Sequence, residues 1–331
     1  MTSSKPIFVT MGDPCGIGPE VIAMAAQRGA LEGCRVIGDR DVMARAARLV
    51  GLLDTLPVIE PDDLPQDLDD LPLGEVHAQA GAAAASCVTH AAWAALRGQV
   101  DAVVTAPLHK QSLAAAGLRW PGHTEMLQAM ASAHAGREIP VRMMLANDEI
   151  RVVLVTVHLP LRQAIEAISL ASVLETITIA NAALKGLASK AKGRGRLRIA
   201  VAGLNPHAGE GGLFGHEEQS FIAPAVNAAR SMDIDVQGPF APDTVFMRAR
   251  RGEFDVVVAM THDHGLIPVK YLGVEHGVNV TLGLPFVRTS PDHGTAFDIA
   301  GRGTADPSSL IAAIVMARRM AAEAAAGRGL V

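Results

Sequence analysis

The stretch "DVVVAMTHDHGLIPVK", Asp255 to Lys270, joins an apolar run to a cluster of polar side chains. Three valines followed by alanine are typical of a β-strand that is buried on both faces, as the strands of parallel sheets are. Two histidines, an aspartate and a lysine come directly behind this run. Such side chains can hold a metal ion or can belong to an ordinary turn. Other segments of the chain help to decide between a metal site and a turn.

β-branched runs alternate with Ala/Leu-rich segments of helical spacing along the whole chain. The run "PIFVTM" precedes the helical "PEVIAMAAQRGA", and "LRIAVAG" precedes "HEEQSFIAPAVNAARSM". Strands that alternate with helices predict βαβ units and a largely parallel sheet. Between Val141 and His158, two strand-like runs separated by "ANDE" predict a hairpin, and hence some antiparallel pairing. The predicted fold class is therefore α/β with a mixed sheet.

Length and composition favour a two-lobed protein. Single hydrophobic cores stop growing at about 250–300 residues, and this chain has 331. Apolar residues make up 49% of the sequence but aromatic residues only 3%. The core is therefore expected to consist of Ala, Val, Leu, Ile and Met side chains, which suits helices packed on a sheet.

Charge, hydropathy and cysteine content argue against several classes of protein. The net charge of -5 and the lack of a long Lys/Arg block argue against a nucleic-acid partner. No stretch reaches the roughly 18 uncharged apolar residues of a membrane span, and the N-terminal apolar segment is too short for a signal peptide. Cys15, Cys34 and Cys87 lack CxxC spacing, so neither a disulfide framework nor a thiolate zinc site is indicated. We expect a cytoplasmic protein without membrane or nucleic-acid partners.

Three strand-like runs end at or just before a histidine: "VVLVTVH" at His158, "RIAVAGLNPH" at His207 and "DVVVAMTH" at His262. Ligands of open α/β sheets bind at the carboxyl ends of the strands, so these imidazoles can converge on one ion. A three-histidine site leaves coordination positions open for a substrate. The alternative is that each is an ordinary polar residue, since the chain has 12 histidines. We predict a divalent metal site.

An anionic substrate would need cations and N–H donors, and two segments supply candidates. Asn279 and Arg288 lie in a β-rich stretch after Lys270, and "PGHTEML" contains His123 and Thr124. Thr124 is predicted to be the N-cap of a helix. A hydroxyl and an imidazole at a helix start can bind an anion, and the alternative is that Thr124 serves only as the cap. The glycine-rich "GDPCGIGPE", residues 12–20, lacks the GxGxxG spacing and the P-loop lysine, so it is not predicted to bind a nucleotide.

Seven motifs, in order along nearly the whole chain, resemble the 4-hydroxythreonine-4-phosphate dehydrogenase family, NAD-dependent enzymes of pyridoxal phosphate biosynthesis. The motifs are "MGDPCGIGPE", "TAPLHK", "PGHTEML", "NPHAGEGGLFGHEE", "GPFAPDTVF", "HDHGLIPVKY" and "GVNVTLGLPFVRTSPDHGTAFDIAGRG". The resemblance implies the fold of isocitrate and isopropylmalate dehydrogenases, with two α/β lobes and a cleft between them. We expect residues 1–135 with 295–331 to form the first lobe and residues 136–294 to form the second. A homodimer with the active site at the subunit interface is also implied.

The resemblance also implies roles for individual residues. The divalent ion, zinc, cobalt or magnesium, would be held by His158, His207 and His262. Substrate contacts would come from His123, Thr124, Lys270, Asn279 and Arg288. Candidates for proton transfer are Lys270, Asp243 and Asp263. The segment "DHGTAFDIAGRGTADP" resembles the adenosine-binding loop of the related dehydrogenases and would place NAD against His293, Gly294 and Asp298. A carboxylate such as Asp298 would repel the 2′-phosphate of NADP, which favours NAD.

The implied reaction oxidises the C3 hydroxyl of 4-phosphohydroxy-L-threonine, with hydride passing to NAD. The product, 2-amino-3-oxo-4-phosphooxybutanoate, would decarboxylate to 3-amino-2-oxopropyl phosphate. The alternatives are a paralogous dehydrogenase of a phosphorylated threonate or erythronate or of a diol carboxylate, a metal-dependent hydrolase, and a non-catalytic binding protein. One position departs from the family's "HDQG" version of the turn, where His264 replaces glutamine. A neutral replacement is expected, and a fourth metal ligand or a proton carrier are the alternatives.

Overall fold

The computed structural model describes residues 5–188 and 195–328. Eleven strands occur in this part of the chain: β1 Ile7–Thr10, β2 Cys34–Ile37, β3 Val58–Ile59, β4 Ala102–Thr105, β5 Arg142–Ala146, β6 Arg151–Leu154, β7 Ile199–Ala202, β8 Val236–Phe240, β9 Val256–Ala259, β10 Val278–Leu282 and β11 Val287–Pro291. The helices of the same residues are α1 Gly18–Gln27, α2 Arg40–Val50, α3 Ala78–Leu96, α4 Lys110–Ala115, α5 His123–Ala135, α6 Leu161–Ala167, α7 Leu170–Leu184, α8 Ala223–Ser231, α9 Val245–Arg250, α10 His262–Tyr271 and α11 Ser308–Arg328.

The chain divides into two compact units. Unit 1 consists of Met1–Pro140 and Leu284–Ala321, and unit 2 of Val141–Gly283 and Ala322–Val331. The lobe limits expected from the sequence stay a prediction, and their ends at residues 1 and 331 lie outside the described residues.

Unit 1 contains five parallel strands in the order β3-β2-β1-β4-β11. Every residue of β1 and β4 is buried, as expected for strands covered on both faces. An apolar cluster lies where α3, α4 and α5 meet, and includes Val88, Leu113 and Leu127. Because β1 and β4 run parallel, the residues that follow them leave the sheet at the same edge.

Unit 2 contains six strands in the order β10-β5-β6-β9-β7-β8. β5 pairs antiparallel with β10 and with β6, whereas β6, β9, β7 and β8 run parallel to one another. The β5–β6 turn is held by Asn147, whose side-chain oxygen accepts hydrogen bonds of 2.9 Å from the N–H groups of Glu149 and Ile150. The predicted hairpin and the α/β class with a mixed sheet and flanking helices are confirmed.

The starts of β7 and β9 are joined by a buried ion pair. The carboxylate of Asp255 accepts hydrogen bonds from Nε and Nη2 of Arg198 at 3.0 and 2.9 Å, and one from the Arg198 backbone N–H at 2.9 Å. Burial of a charged pair costs free energy unless its hydrogen bonds are satisfied, and here they are. The pair fixes the relative position of two strands that precede predicted metal ligands.

One described segment, Leu170–Leu187, is long and apolar enough to cross a membrane, with a mean hydropathy of 1.2 over 18 residues, 39% of which are buried. It comprises α7 and the 3-10 turn that follows. α7 packs on α8 and on β5, β6 and β10 of its own unit. These contacts are those of a core helix.

The segment after β9 is a helix, which the sequence analysis did not predict. α10 begins at His262 and continues through Pro268 to Tyr271. Glycine and proline within ten residues usually indicate a turn. Gly265 is needed here because a Cβ at this position would lie 2.4 Å from the Leu154 side chain of β6. The close packing of α10 on the sheet therefore outweighs the weak helix propensity of the segment.

Candidate active site

His158 and His262 lie side by side in unit 2. His158 follows β6, and His262 is the first residue of α10 after β9. The parallel pairing of these strands continues past their ends, since both the N–H and the hydroxyl of Thr156 donate to the carbonyl of Met260, the latter at 2.8 Å. The two imidazole rings have centroids 5.6 Å apart and planes at 41°.

This separation suits two ligands of one metal ion. Two imidazoles bound at about 2.0–2.1 Å with a tetrahedral angle have ring centres about 5 Å apart. Nδ1 of His262 is 2.8 Å from Oδ1 of Asp263. A carboxylate on one ring nitrogen orients the imidazole and raises the basicity of the other nitrogen, which is the usual arrangement behind a metal-binding histidine. The chemistry and spacing of this pair fit a divalent ion.

His207 follows β7 in a turn of unusual backbone conformation. Its φ is 53°, and all residues from His207 to Gly212 have positive φ. The imidazole lies near Phe214, with ring centroids 6.1 Å apart, and its Nδ1 is 3.6 Å from a carboxylate oxygen of Glu210. His158 also has a positive φ, of 51°. Left-handed backbone at residues other than glycine is strained and concentrates at functional sites.

The structure brings together two of the three predicted metal ligands. Across residues 5–188 and 195–328, no three His, Cys, Asp or Glu side chains lie close enough to hold an ion in this conformation. β9 nevertheless pairs with β6 on one side and β7 on the other, so the three connections that carry His158, His207 and His262 leave the same sheet edge in adjacent positions. The three-ligand set stays a prediction.

The other predicted residues of unit 2 lie mainly on α10. His262, Asp263, His264 and Lys270 all belong to this helix, and the last three are exposed. Eight residues separate His262 from Lys270, which corresponds to about 12 Å along a helix. Asp243 is exposed just before α9, and Asn279 lies in β10 opposite Leu145 of β5. α10 thus carries a predicted metal ligand together with two predicted proton-transfer groups.

In unit 1, Arg288 is a buried cation. Its side chain projects from β11, the residue is only 3% exposed, and Nη2 donates to the hydroxyl of Thr105 at 2.6 Å. Burial lowers the pKa of Arg288 to about 10, an effect that the carboxylate of Glu125 opposes. The guanidinium therefore keeps its charge at neutral pH while it has lost most of its hydration. Such a cation suits a phosphate or carboxylate group.

His123 lies near this cation as a neutral imidazole. Burial, and next the positive charge of Arg288, hold the pKa of His123 well below its usual value of 6.5. Its Nε2 is buried and has no hydrogen-bond partner among the described residues. A buried polar atom without a partner costs free energy, so a ligand group that bonds to it would be favoured.

The predicted N-cap role of Thr124 is wrong. α5 begins at His123, and Gly122 occupies the cap position with an extended φ of 178°. Glycine is acceptable at a helix N-cap, so the helix starts earlier than the hydroxyl of Thr124 suggested. His123 and Thr124 are therefore both in the first turn, where free backbone N–H groups favour an anion.

The segment predicted to bind NAD packs on the glycine-rich turn at residues 12–20. The carboxylate of Glu20 accepts hydrogen bonds from the N–H groups of Gly301 and Gly303, at 2.5 and 3.0 Å. The N–H of Ile17 donates to the carbonyl of Thr295. Of the predicted NAD contacts, Gly294 and Asp298 are exposed, and His293 has a buried Nε2 without a partner among the described residues. These exposed and unpaired groups suit a bound cofactor.

Sequence reasoning missed the residues that hold these segments in place. Glu20 supports the predicted NAD segment, and Phe297 of that segment stacks on His109 with centroids 4.4 Å apart. Glu218 and Asn205 hold the turn that carries His207. Glutamates within glycine-rich motifs, "GIGPE" and "FGHEE", are the available signal, because a loop rich in glycine exposes backbone N–H groups that a nearby carboxylate can accept.

Fold and side chains together define an α/β protein with paired imidazoles at the carboxyl edge of one unit and a buried arginine in the other. Residues 31–317 match the family described as "Pyridoxal phosphate biosynthetic protein PdxA". The chain belongs to this family.

Individual relatives agree with the family. The chain is 50% identical to 4-hydroxythreonine-4-phosphate dehydrogenase of Beijerinckia indica, over 95% of both chains. It is 44% identical to D-threonate 4-phosphate dehydrogenase of Salmonella typhimurium, over 96% of this chain and 99% of the relative. The crystal structure of a 4-hydroxythreonine-4-phosphate dehydrogenase from Klebsiella pneumoniae has a TM-score of 0.83 and 41% identity, over 96% of this chain and 98% of the other. The predicted family resemblance and the class of dehydrogenase are confirmed.

The neutral state of His123 gives a testable dependence of stability on pH. The unfolded chain binds a proton near pH 6.5 and the folded protein does not, so His123 contributes stability above that pH that is lost as the pH falls. Because of His123, the free energy of unfolding of the wild type should fall by up to about 1.4 kcal/mol for each pH unit below pH 6. His123→Gln is expected to lack this dependence. Denaturant titrations between pH 7.5 and 5 measure this slope.

A control variant on the same helix is His134→Gln, whose ring is exposed to solvent. It should keep the wild-type slope. If His123→Gln and wild type lose stability equally as the pH falls, the account of a buried neutral imidazole is wrong.

Proposed function

We propose that this chain oxidises 4-phosphohydroxy-L-threonine with NAD, in the manner of a 4-hydroxythreonine-4-phosphate dehydrogenase. The observation that carries the proposal is 50% identity to a relative of that name over 95% of both chains. The C3–H bond breaks with its electron pair passing to NAD, and the hydroxyl proton is released. The resulting 2-amino-3-oxo-4-phosphooxybutanoate is a β-keto acid that loses carbon dioxide to give 3-amino-2-oxopropyl phosphate.

The residues of unit 1 support recognition of an anionic group of the substrate. Arg288 offers a charged guanidinium with little remaining hydration, and His123 offers a buried ring nitrogen without a partner among the described residues. Thr124 adds a hydroxyl in the same helical turn. We assign these three residues to binding and orientation of the substrate, because none of them is placed to exchange a proton readily at neutral pH. Lys270 and Asn279 in unit 2 complete the proposed set of substrate contacts.

In unit 2 we assign His158, His207 and His262 to a divalent ion, zinc, cobalt or magnesium. Such an ion, when bound, would stabilise negative charge on the substrate oxygen. The protein's own contribution is to orient the imidazole of His262 through Asp263 and to keep His158 beside it. Asp263 contacts His262. Asp243 and Lys270 are exposed groups of the same unit, and we assign the proton transfers to these three residues.

For the cofactor we propose NAD, held by His293, Gly294 and Asp298. The exposed carboxylate of Asp298 can accept hydrogen bonds from ribose hydroxyls and would repel a 2′-phosphate. We also propose a cytoplasmic location, which the three free, buried cysteines support and which fractionation of the source cells would check.

A single absorbance assay tests the proposed substrate and the proposed metal together. With NAD, a divalent cation and 4-phosphohydroxy-L-threonine, absorbance at the NADH band should rise, and a chelator should abolish the rise. The kcat/KM for this substrate should exceed that for D-threonate 4-phosphate by at least about tenfold, since one mismatched polar group costs that much or more in a site built for it. His207→Ala should abolish turnover, whereas His276→Ala, an exposed histidine of the same unit, should retain it.

Each other outcome identifies a different function. NADH formation with D-threonate 4-phosphate alone would favour the paralogue, which the lower identity of 44% does not support. Phosphate release without NADH would indicate a hydrolase. Binding without turnover would indicate a non-catalytic protein. Near-normal turnover of His207→Ala in metal-replete buffer would remove His207 from the ligand set.

We further propose a homodimer whose active site lies at the subunit interface. Exposed apolar side chains directly follow His158: Leu159, Leu161 and Ile165 are 46%, 66% and 37% exposed. Clustered exposed apolar residues favour a protein interface. A second copy that covers this surface would exclude water next to the paired imidazoles.

Sedimentation equilibrium should therefore give twice the chain mass of 34.5 kDa at micromolar concentration. Leu161→Glu places a charge in the proposed interface and should shift the protein to monomers. Leu53→Glu, at a residue of unit 1 that is 98% exposed, is the matched control and should leave the dimer intact. A wild-type mass of one chain would contradict the proposal.

A further inference from the structure

The turn that carries His207 is held in a conformation that its own sequence disfavours. From His207 to Gly212 the φ angles are 53°, 53°, 81°, 43°, 67° and 102°. Three of these residues, His207, Ala208 and Glu210, are not glycine. Left-handed backbone is strained at each such residue, because the Cβ atom approaches the following carbonyl oxygen. Contacts from outside the turn must therefore maintain it.

A buried carboxylate supplies these contacts. Glu218 is only 3% exposed, and its Oε1 accepts hydrogen bonds of 2.8 Å from the N–H groups of both Leu204 and Asn205. Its Oε2 accepts a third, of 2.9 Å, from Nδ2 of Asn205. A charged acceptor that receives three hydrogen bonds in a buried position is strongly held. The two residues that it fixes directly precede the His207 turn.

The same carboxylate packs against the turn itself. A Cβ on Gly209 would lie 2.7 Å from Oε2 of Glu218, and a Cβ on Gly203 would lie 3.0 Å from Oε1. Only glycine at these positions leaves room for the carboxylate. The Glu218 side chain thus touches the chain before the turn and within it, on both sides of His207.

Glu218 lies at the start of a helical element that packs in the interior of unit 2. It begins a π-helical turn, Glu218–Ile222, which continues into α8. π-helical turns are rare and frequently occur at functional sites. α8 packs on α7 and β8 in the interior of unit 2. The backbone of Glu218 is therefore anchored by an element that packs in the core, while its side chain bonds to the loop.

We propose that Glu218 is the positioning residue for His207, so that the carboxylate keeps the imidazole presented to the divalent ion without touching the ion. This inference rests on the proposed metal site. A carboxylate that only stabilises the folded loop would make the same hydrogen bonds, and the two roles differ in their effect on metal affinity. Residues behind a metal ligand typically change affinity by about 10–100-fold when altered.

The test measures binding of Co²⁺ to the metal-free protein by calorimetry and by its visible absorption. Glu218→Gln has the same size, but its amide presents N–H groups to N–H donors and carries no charge. We expect the Kd for Co²⁺ to rise by about 10–100-fold. Glu217→Gln is the matched control: Glu217 accepts a hydrogen bond from the side chain of Asn205, at 2.7 Å, whereas the backbone N–H groups of Leu204 and Asn205 are held by Glu218, so the Kd should change by less than about threefold.

A double variant separates positioning from general stabilisation. In a His207→Ala background, Glu218→Gln should weaken Co²⁺ binding no further, because the ligand that it positions is already gone. Equal, additive losses in both backgrounds would overturn the proposal. So would a Glu218→Gln protein that binds Co²⁺ like wild type.

Two further outcomes keep the inference separate from the proposed function. If wild type binds no Co²⁺ stoichiometrically, the metal site itself is wrong. If wild type binds Co²⁺ and His207→Ala weakens it while Glu218→Gln does not, only the role of Glu218 is wrong. Should Glu218→Gln fail to fold, Glu218→Asp keeps the charge but draws the carboxylate back from the N–H groups of Leu204 and Asn205; it should raise the Kd several-fold, and an unchanged Kd would overturn the proposal.

Discussion

The parallel pairing of β9 with β6 on one side and β7 on the other is the constraint on which the site depends. Parallel strands deliver their following residues to one edge of a sheet, and these three strands are immediate neighbours. His158, His207 and His262, which are far apart in sequence, are therefore carried to the same edge. The buried pair of Arg198 and Asp255 fixes β7 and β9 from the opposite ends. The strand order therefore determines where the proposed metal ligands lie along the chain's sheet edge, whatever the orientation of their side chains.

Strand order alone does not orient an imidazole, and the fold uses three different devices for that purpose. Asp263 contacts Nδ1 of His262, His158 has left-handed backbone four residues after the end of β6, and Glu218 supports the left-handed turn of His207. The anion site proposed for unit 1 requires a cation that carries little hydration. Burial of Arg288 beside a neutral His123 provides that environment.

The sequence predicts the framework well and the supporting contacts poorly. Runs of β-branched residues predict the β5–β6 hairpin and the strands that precede the three histidines. These elements are predictable because they depend only on local sequence pattern and burial. α10 was not predicted, because Gly265 and Pro268 resemble turn residues when their packing on β6 is unknown. The cap at Thr124 was misassigned because Gly122 serves equally well there. The role of Glu218 depends on backbone N–H groups 13 and 14 residues away, a contact that no local periodicity encodes.

The central claim is that three neighbouring strands place three imidazoles on one divalent ion. The most direct measurement is anomalous diffraction at the metal absorption edge, from crystals of the protein loaded with zinc or cobalt. The account predicts one strong peak about 2.0–2.2 Å from a ring nitrogen of each of His158, His207 and His262. A peak bound by other residues, or no ordered ion near His158 and His262, would contradict it.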